Sequence, residues 1–142
     1  MNVNGGKSVM GKDEVERILT RLLCAGWLDQ LPRKLSDKEV LMALAASSLK
    51  TKQQYSEKEV NAHLLQWLEG FTYPSCIDHV TVRRYLVDLR FIKRNPSGSL
   101  YWTNEVAIAS ILEPGARNIH PRDILLQIQH QREQRKRNRF KK

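Results

Sequence analysis

The chain has 142 residues, with 24 Lys and Arg against 15 Asp and Glu and a formal charge of +9. That length supplies about one domain, and a hydrophobic fraction of 41% is enough for a packed core, which excludes wholesale disorder. No apolar run reaches the roughly 20 residues of a membrane span, the polar stretch 1–11 does not read as a secretory signal, and Cys24 and Cys76 alone make no disulfide framework, so the expected compartment is the cytoplasm.

In chain order, residues 1–11 read as a flexible arm. From Asp13 the apolar residues Val15, Ile18, Leu19, Leu22 and Leu23 recur at helical spacing, and Gly26 suits the end of that helix. Residues 12–30 thus form an N-terminal helical segment, closed before Pro32. Ser36-Asp37-Lys38-Glu39 has the form of a capping box and opens a second helix, with Val40, Leu41, Leu44 and Ala45 on its buried stripe. The polar Lys50–Tyr55 has room for a single strand. Ser56-Glu57-Lys58-Glu59 repeats the capping box, followed by Val60, Leu64, Trp67 and Leu68 on one helical face and by Gly70 at the end. Past Pro74, Ser75 or Asp78 caps a helix whose inward stripe is Val82, Tyr85, Leu86 and Leu89. Phe91–Arg94 and Ser99–Thr103 flank Asn95-Pro96-Ser97-Gly98, the pattern of a hairpin. A short helix over Glu105–Leu112 is broken by Pro114-Gly115, and Pro121 opens a last helix with Ile124, Leu125 and Ile128 on its apolar face. The last dozen residues can be helical but have nothing to bury, so they are expected to fray, or to order only on a partner.

The charge is concentrated at this end. Arg132, Arg135, Lys136, Arg137, Arg139, Lys141 and Lys142 face a single acid, Glu133, for a net of +6, against +3 for the rest of the chain. A run of this kind attracts polyanions, because each neutralised phosphate releases counterions; the alternative is a solvated, solubilising tail.

Helix, short strand, helix, helix and hairpin in succession is the layout of a winged helix-turn-helix. The expected fold is therefore mainly α with a small β-hairpin: a winged-helix domain over residues 31–104, preceded by the N-terminal helix and followed by a C-terminal helical extension, 105–142. In such a module the last helix before the hairpin is exposed and has the diameter of the DNA major groove. Steps of 100° place Arg84 about 200° and Arg83 about 100° from Val82, with Arg90 near Arg83 and Thr81 and Asp88 on the other flank. Outward arginines take phosphate or, when bidentate, guanine, and Lys93 and Arg94 continue the cationic theme into the hairpin. The alternative is an Arg84–Asp88 pair on a solvated helix face.

The residues Tyr55-Ser56-Glu57-Lys58-Glu59-Val60-Asn61, Asp78-His79, Val82-Arg83-Arg84-Tyr85-Leu86-Val87-Asp88, Arg94, Gly98 and Tyr101-Trp102, preceded by Leu31-Pro32-Arg33-Lys34, resemble the DUF2087 family over about residues 31–103. The resemblance implies a bacterial, winged-helix-like protein, sometimes joined to helix-turn-helix regulators of transcription. Two departures stand beside the candidate reading helix: the family often has Gly where this chain has Arg90, and the segment 70–77 is longer than usual.

Other chemistry finds little support. Gly6-Lys7-Ser8 lacks the earlier Gly and the preceding strand of a phosphate-binding loop. Cys76, Asp78 and His79 lack the second ligand pair of a metal site, and no supported nucleophile–base set points to an enzyme. Trp27, Trp67 and Trp102 read as core or wing anchors. The leading expectation is a DNA-binding regulator without cofactor or metal, contacting duplex through Thr81, Arg83, Arg84, Arg90, Lys93 and Arg94, with Arg132, Arg135, Lys136, Arg137 and Arg139 adding nonspecific affinity. The alternatives are an RNA- or ribosome-associated protein and a protein-interaction adaptor, and the N-terminal helix either supports a homodimer or completes the core.

Overall fold

A computed structural model describes residues 9–140. Most of the N-terminal arm, with Gly6-Lys7-Ser8, and the last two lysines of the tail lie outside them. The helices are α1 (Lys12–Leu23), α2 (Leu35–Ser47), α3 (Glu57–Glu69), α4 (His79–Asp88), α5 (Glu105–Ala109) and α6 (Pro121–Phe140), with strands β1 (Ile92–Arg94) and β2 (Tyr101–Thr103) between α4 and α5. The protein is mainly helical with one small antiparallel hairpin, a layout consistent with a winged helix.

α2 is the central helix. The expected stripe of Val40, Leu41, Leu44 and Ala45 is buried, and Met42, Ala43 and Ala46 are buried with it, so the middle of the helix is covered on every side. Its expected capping box does not form. The helix begins at Leu35 with Lys34 before it, leaving Ser36 inside the first turn. A tertiary contact fixes this end instead: Arg21 of α1 donates to both carboxylate oxygens of buried Asp37, at 3.1 and 2.7 Å. The ion pair raises the pKa of Arg21, through the hydrogen bond to Asp37 first.

The capping box of α3 is present in full: Glu59 N–H donates to Ser56 Oγ at 3.1 Å, and Ser56 N–H donates to Glu59 Oε1 at 2.9 Å. The hydrogen bonds from Ser56 lower the Glu59 pKa. Asp78, not Ser75, caps α4, accepting from Val80 N–H at 3.2 Å. Its far end closes as a Schellman motif: Phe91 N–H donates to Leu86 C=O (2.9 Å) and Arg90 N–H to Val87 C=O (3.0 Å). The motif requires a left-handed residue, and Arg90 takes it with φ +67°. An L side chain is disfavoured there, and glycine is the residue that adopts it most readily.

The strand expected at Lys50–Tyr55 reduces to one residue. Tyr55 and Tyr101 exchange backbone bonds of 2.8 and 2.7 Å, adding a single-residue third strand to the hairpin, in which Ile92, Lys93 and Arg94 pair with Thr103, Trp102 and Tyr101.

The N-terminal helix completes the core. Val15, Leu19 and Leu23 of α1 pack in the same buried cluster as Ile124, Leu125 and Ile128 of α6. The arm is not loose at its end, because Met10 N–H donates to Ile111 C=O and Glu113 N–H to Met10 C=O. α5 stops at Ala109, three residues short of the expected Leu112, and Pro114–Ala116 forms a 3-10 turn instead of a plain break. α6 runs on to Phe140 as one 20-residue helix, the helical form that the sequence allowed for the last dozen residues. Among the described residues no helix is long and apolar enough to cross a membrane.

His63 and His120 line one cleft with Trp67, and burial is the main cause that lowers both pKa values. The unfolded chain therefore binds protons at these sites at higher pH than the folded chain. This contribution to stability is complete above the ordinary His value of about 6.5 and is lost as the pH falls toward the folded values. The melting temperature is expected to drop between about pH 7 and pH 5, and the double change His63→Asn, His120→Asn to flatten that drop in a calorimetric pH series.

Candidate nucleic-acid interface

α4 turns Val82 and Leu86 into the core and leaves the opposite face to solvent, where Thr81, Arg84 and Asp88 are exposed. The two neighbouring arginines have different fates. Arg83 is turned toward α3: its guanidinium donates to Asn61 Oδ1 in a short hydrogen bond and lies 3.2 Å from Glu57 Oε1, with the side chain only 15% exposed. The sequence placed it among the outward contacts; the structure makes it a clamp between α3 and α4. The wheel alone put it at the boundary between the faces, and the two α3 partners, four residues apart on one side of a helix, decide which way it goes. Glu57 and Asn61 were missed because only the packing of α3 on α4 brings them to Arg83.

Arg84 has no ion pair among the described residues, and the alternative of an Arg84–Asp88 pair is not formed. A cleft of about 310 Å³ runs beside it between α4, the start of α3 and the hairpin, with Arg83, Arg84 and Arg94 set against Glu57 and Asp88. Gly98 makes room for Arg94. A β-carbon there would stand 3.0 Å from Arg94 Nη1, and the residue is in the left-handed region at φ +72°. Lys93 is exposed but pairs with Trp102, and strand alternation sends its side chain to the other face from Arg94. Arg90 is exposed in the turn after α4. Thr81 bonds back to Asp78 Oδ2 at 3.4 Å. Of the residues named from sequence on this side, the structure thus gathers Arg83, Arg84 and Arg94 into one cleft and leaves Thr81, Arg90 and Lys93 out of its lining.

The tail residues form a separate group. Arg132 donates to the backbone carbonyl of Cys24, fastening α6 to the end of α1. Arg135, Lys136, Arg137 and Arg139 lie beyond it on a helix exposed at every residue from 129 to 140. Of the three tryptophans expected as anchors, Trp67 is buried and Trp102 half-buried, while Trp27 is 40% exposed beside Tyr73. Among the described residues no three His, Cys, Asp or Glu side chains converge as a metal site would require.

Three helices, α2 to α4, followed by a hairpin that pairs with Tyr55, are consistent with a winged-helix-like module, and three arginines line the cleft beside α4. The chain matches the family described as uncharacterized proteins conserved in bacteria (DUF2087) over residues 27–103, more than half its length, and belongs to that family. No curated protein and no solved structure matches it significantly.

Proposed function

We propose that this protein binds duplex DNA as a transcriptional regulator, with α4 and the hairpin against the double helix and the cationic end of α6 adding sequence-independent affinity. The observation that carries this reading is Arg84: it stands exposed on the outer face of α4 with no ion pair among the described residues, on the same cleft as Arg94. The cleft holds three arginines and two carboxylates, a net of +1, so by itself it neutralises few phosphates. Most of the salt-dependent affinity then falls to α6, while α4 supplies positioning and base contacts.

A salt titration of the full chain on duplex DNA tests the proposal. Arg84→Glu is expected to weaken binding about ten-fold or more and to lower the salt slope by about 1, without loss of folding. Arg83→Ala, which removes the α3–α4 clamp, is expected to lower the melting temperature and leave the slope nearly unchanged. If Arg84→Glu leaves affinity and slope as they were, α4 does not face DNA.

A further inference from the structure

A second cleft, of about 490 Å³, lies between the α1–α2 connector, the C-terminal turn of α3 and the loop leading to α4. That volume falls in the range of small-molecule sites. Its apolar wall is Leu65, Leu68 and Ile77, and Trp27 and Tyr73 stand on its border. Backbone bonds hold the two aromatic residues together: Leu28 N–H donates to Phe71 C=O at 2.8 Å, and Tyr73 N–H to Leu28 C=O at 3.0 Å. The ring centroids are 6.4 Å apart with the planes tilted by 37°. Trp27 is 40% and Tyr73 48% exposed, so much of the aromatic surface is open.

The charge that lines this cleft is opposite in sign to the net charge of the molecule. Its one charged lining residue is Glu69, the last residue of the 13-residue α3, where the helix dipole presents its negative end. No Lys or Arg lines the cleft, whose other residues are neutral. In a chain with 24 basic residues, the one charge lining this aromatic-edged apolar hollow is a carboxylate, although Arg122 packs against the neighbouring Gly70. A neutral apolar guest would leave the carboxylate and the helix end unused, and an anion would be repelled by both. A cation with apolar substituents satisfies the aromatic rings, the carboxylate and the apolar wall together.

We infer that this cleft binds a small hydrophobic organic cation, an aromatic- or alkyl-substituted ammonium or phosphonium, seated against Trp27 and Tyr73 with its charge toward Glu69. The site shares no lining residue with the α4–hairpin cleft, so the inference does not depend on DNA binding.

Tetraphenylphosphonium and tetraphenylborate, alike in shape and opposite in charge, are the probes. Each is titrated separately into the full chain at constant salt, read by tryptophan fluorescence, in which Trp27 is the exposed reporter, and by calorimetry. The phosphonium is expected to saturate one site per chain and to quench Trp27, with the borate at least ten-fold weaker at that reporter. Glu69→Gln, a surface change that leaves the fold intact, is expected to weaken the phosphonium about five-fold and Trp27→Leu about ten-fold. Absence of saturable phosphonium binding, indifference to both substitutions, or a borate that quenches Trp27 at equal concentration would each overturn the inference.

Discussion

Removal of residues 133–142 is expected to lower the affinity for duplex DNA by about 100-fold or more at roughly 0.1 M salt, and to reduce the salt slope by about 4. The segment carries Arg135, Lys136, Arg137, Arg139, Lys141 and Lys142 against Glu133, and its described part is exposed throughout. Nothing in the core depends on it. The last buried residue of α6 is Ile128, and the bond from Arg132 to Cys24 stays in place, so the melting temperature is expected to hold within a degree or two. The loss is much larger than that from Arg84→Glu because about five net charges leave at once, and counterion release scales with the number of phosphates neutralised. Gel-shift or anisotropy titrations at several salt concentrations read the result. An unchanged slope would remove α6 from the interface. A collapse confined to structured RNA, with duplex binding intact, would move the partner from DNA to RNA.

Leu86→Ala is expected to cost about 3 kcal/mol of folding stability, seen as a shift of roughly 10 °C in the melting temperature. Leu86 is fully buried on the helix that packs against α2, α3 and β1. It also accepts the hydrogen bond from Phe91 N–H that closes α4, and that backbone bond survives the substitution. The cost is therefore the lost transfer of the side chain plus the cavity left behind. Arg84→Glu, two residues away on the solvent side, is expected to change stability by less than about 0.5 kcal/mol. The contrast separates the face of α4 that holds the fold from the face available to a ligand; a Leu86→Ala loss below about 1 kcal/mol would mean that α4 is not anchored as described.

Much of the fold was legible because local chemistry and tertiary packing agree. The Ser56–Glu59 box, the Asp78 cap and the Asn95–Gly98 turn each satisfy backbone groups within a few residues of themselves, Pro121 at the start of α6 lacks the N–H that would go unpaired there, and all four stand where the sequence placed them. The misreadings share one cause. Ser36 has the same box pattern as Ser56, but the Arg21–Asp37 pair, formed across 16 residues, sets the start of α2. Arg83 lies at the edge of the inward stripe, and partners 22 residues away or more (Asn61 and Glu57) draw it in. Leu112, expected as the end of α5, is instead reached after a turn that Met10 holds by backbone bonds to Ile111 and Glu113, about a hundred residues away.

By itself the sequence determined the kinds and order of the elements, the cationic end and the family pattern, since periodicity, caps and charge runs are properties of neighbouring residues. The tertiary structure alone decided which cations remain free. Arg83 and Arg84 are adjacent and chemically identical, yet one is held by α3 and the other is left to solvent. It also drew Trp27 and Tyr73, 46 positions apart, to the edge of a cleft whose walls lack basic residues. Both outcomes depend on how separate helices pack, and no short-range pattern in the chain encodes that.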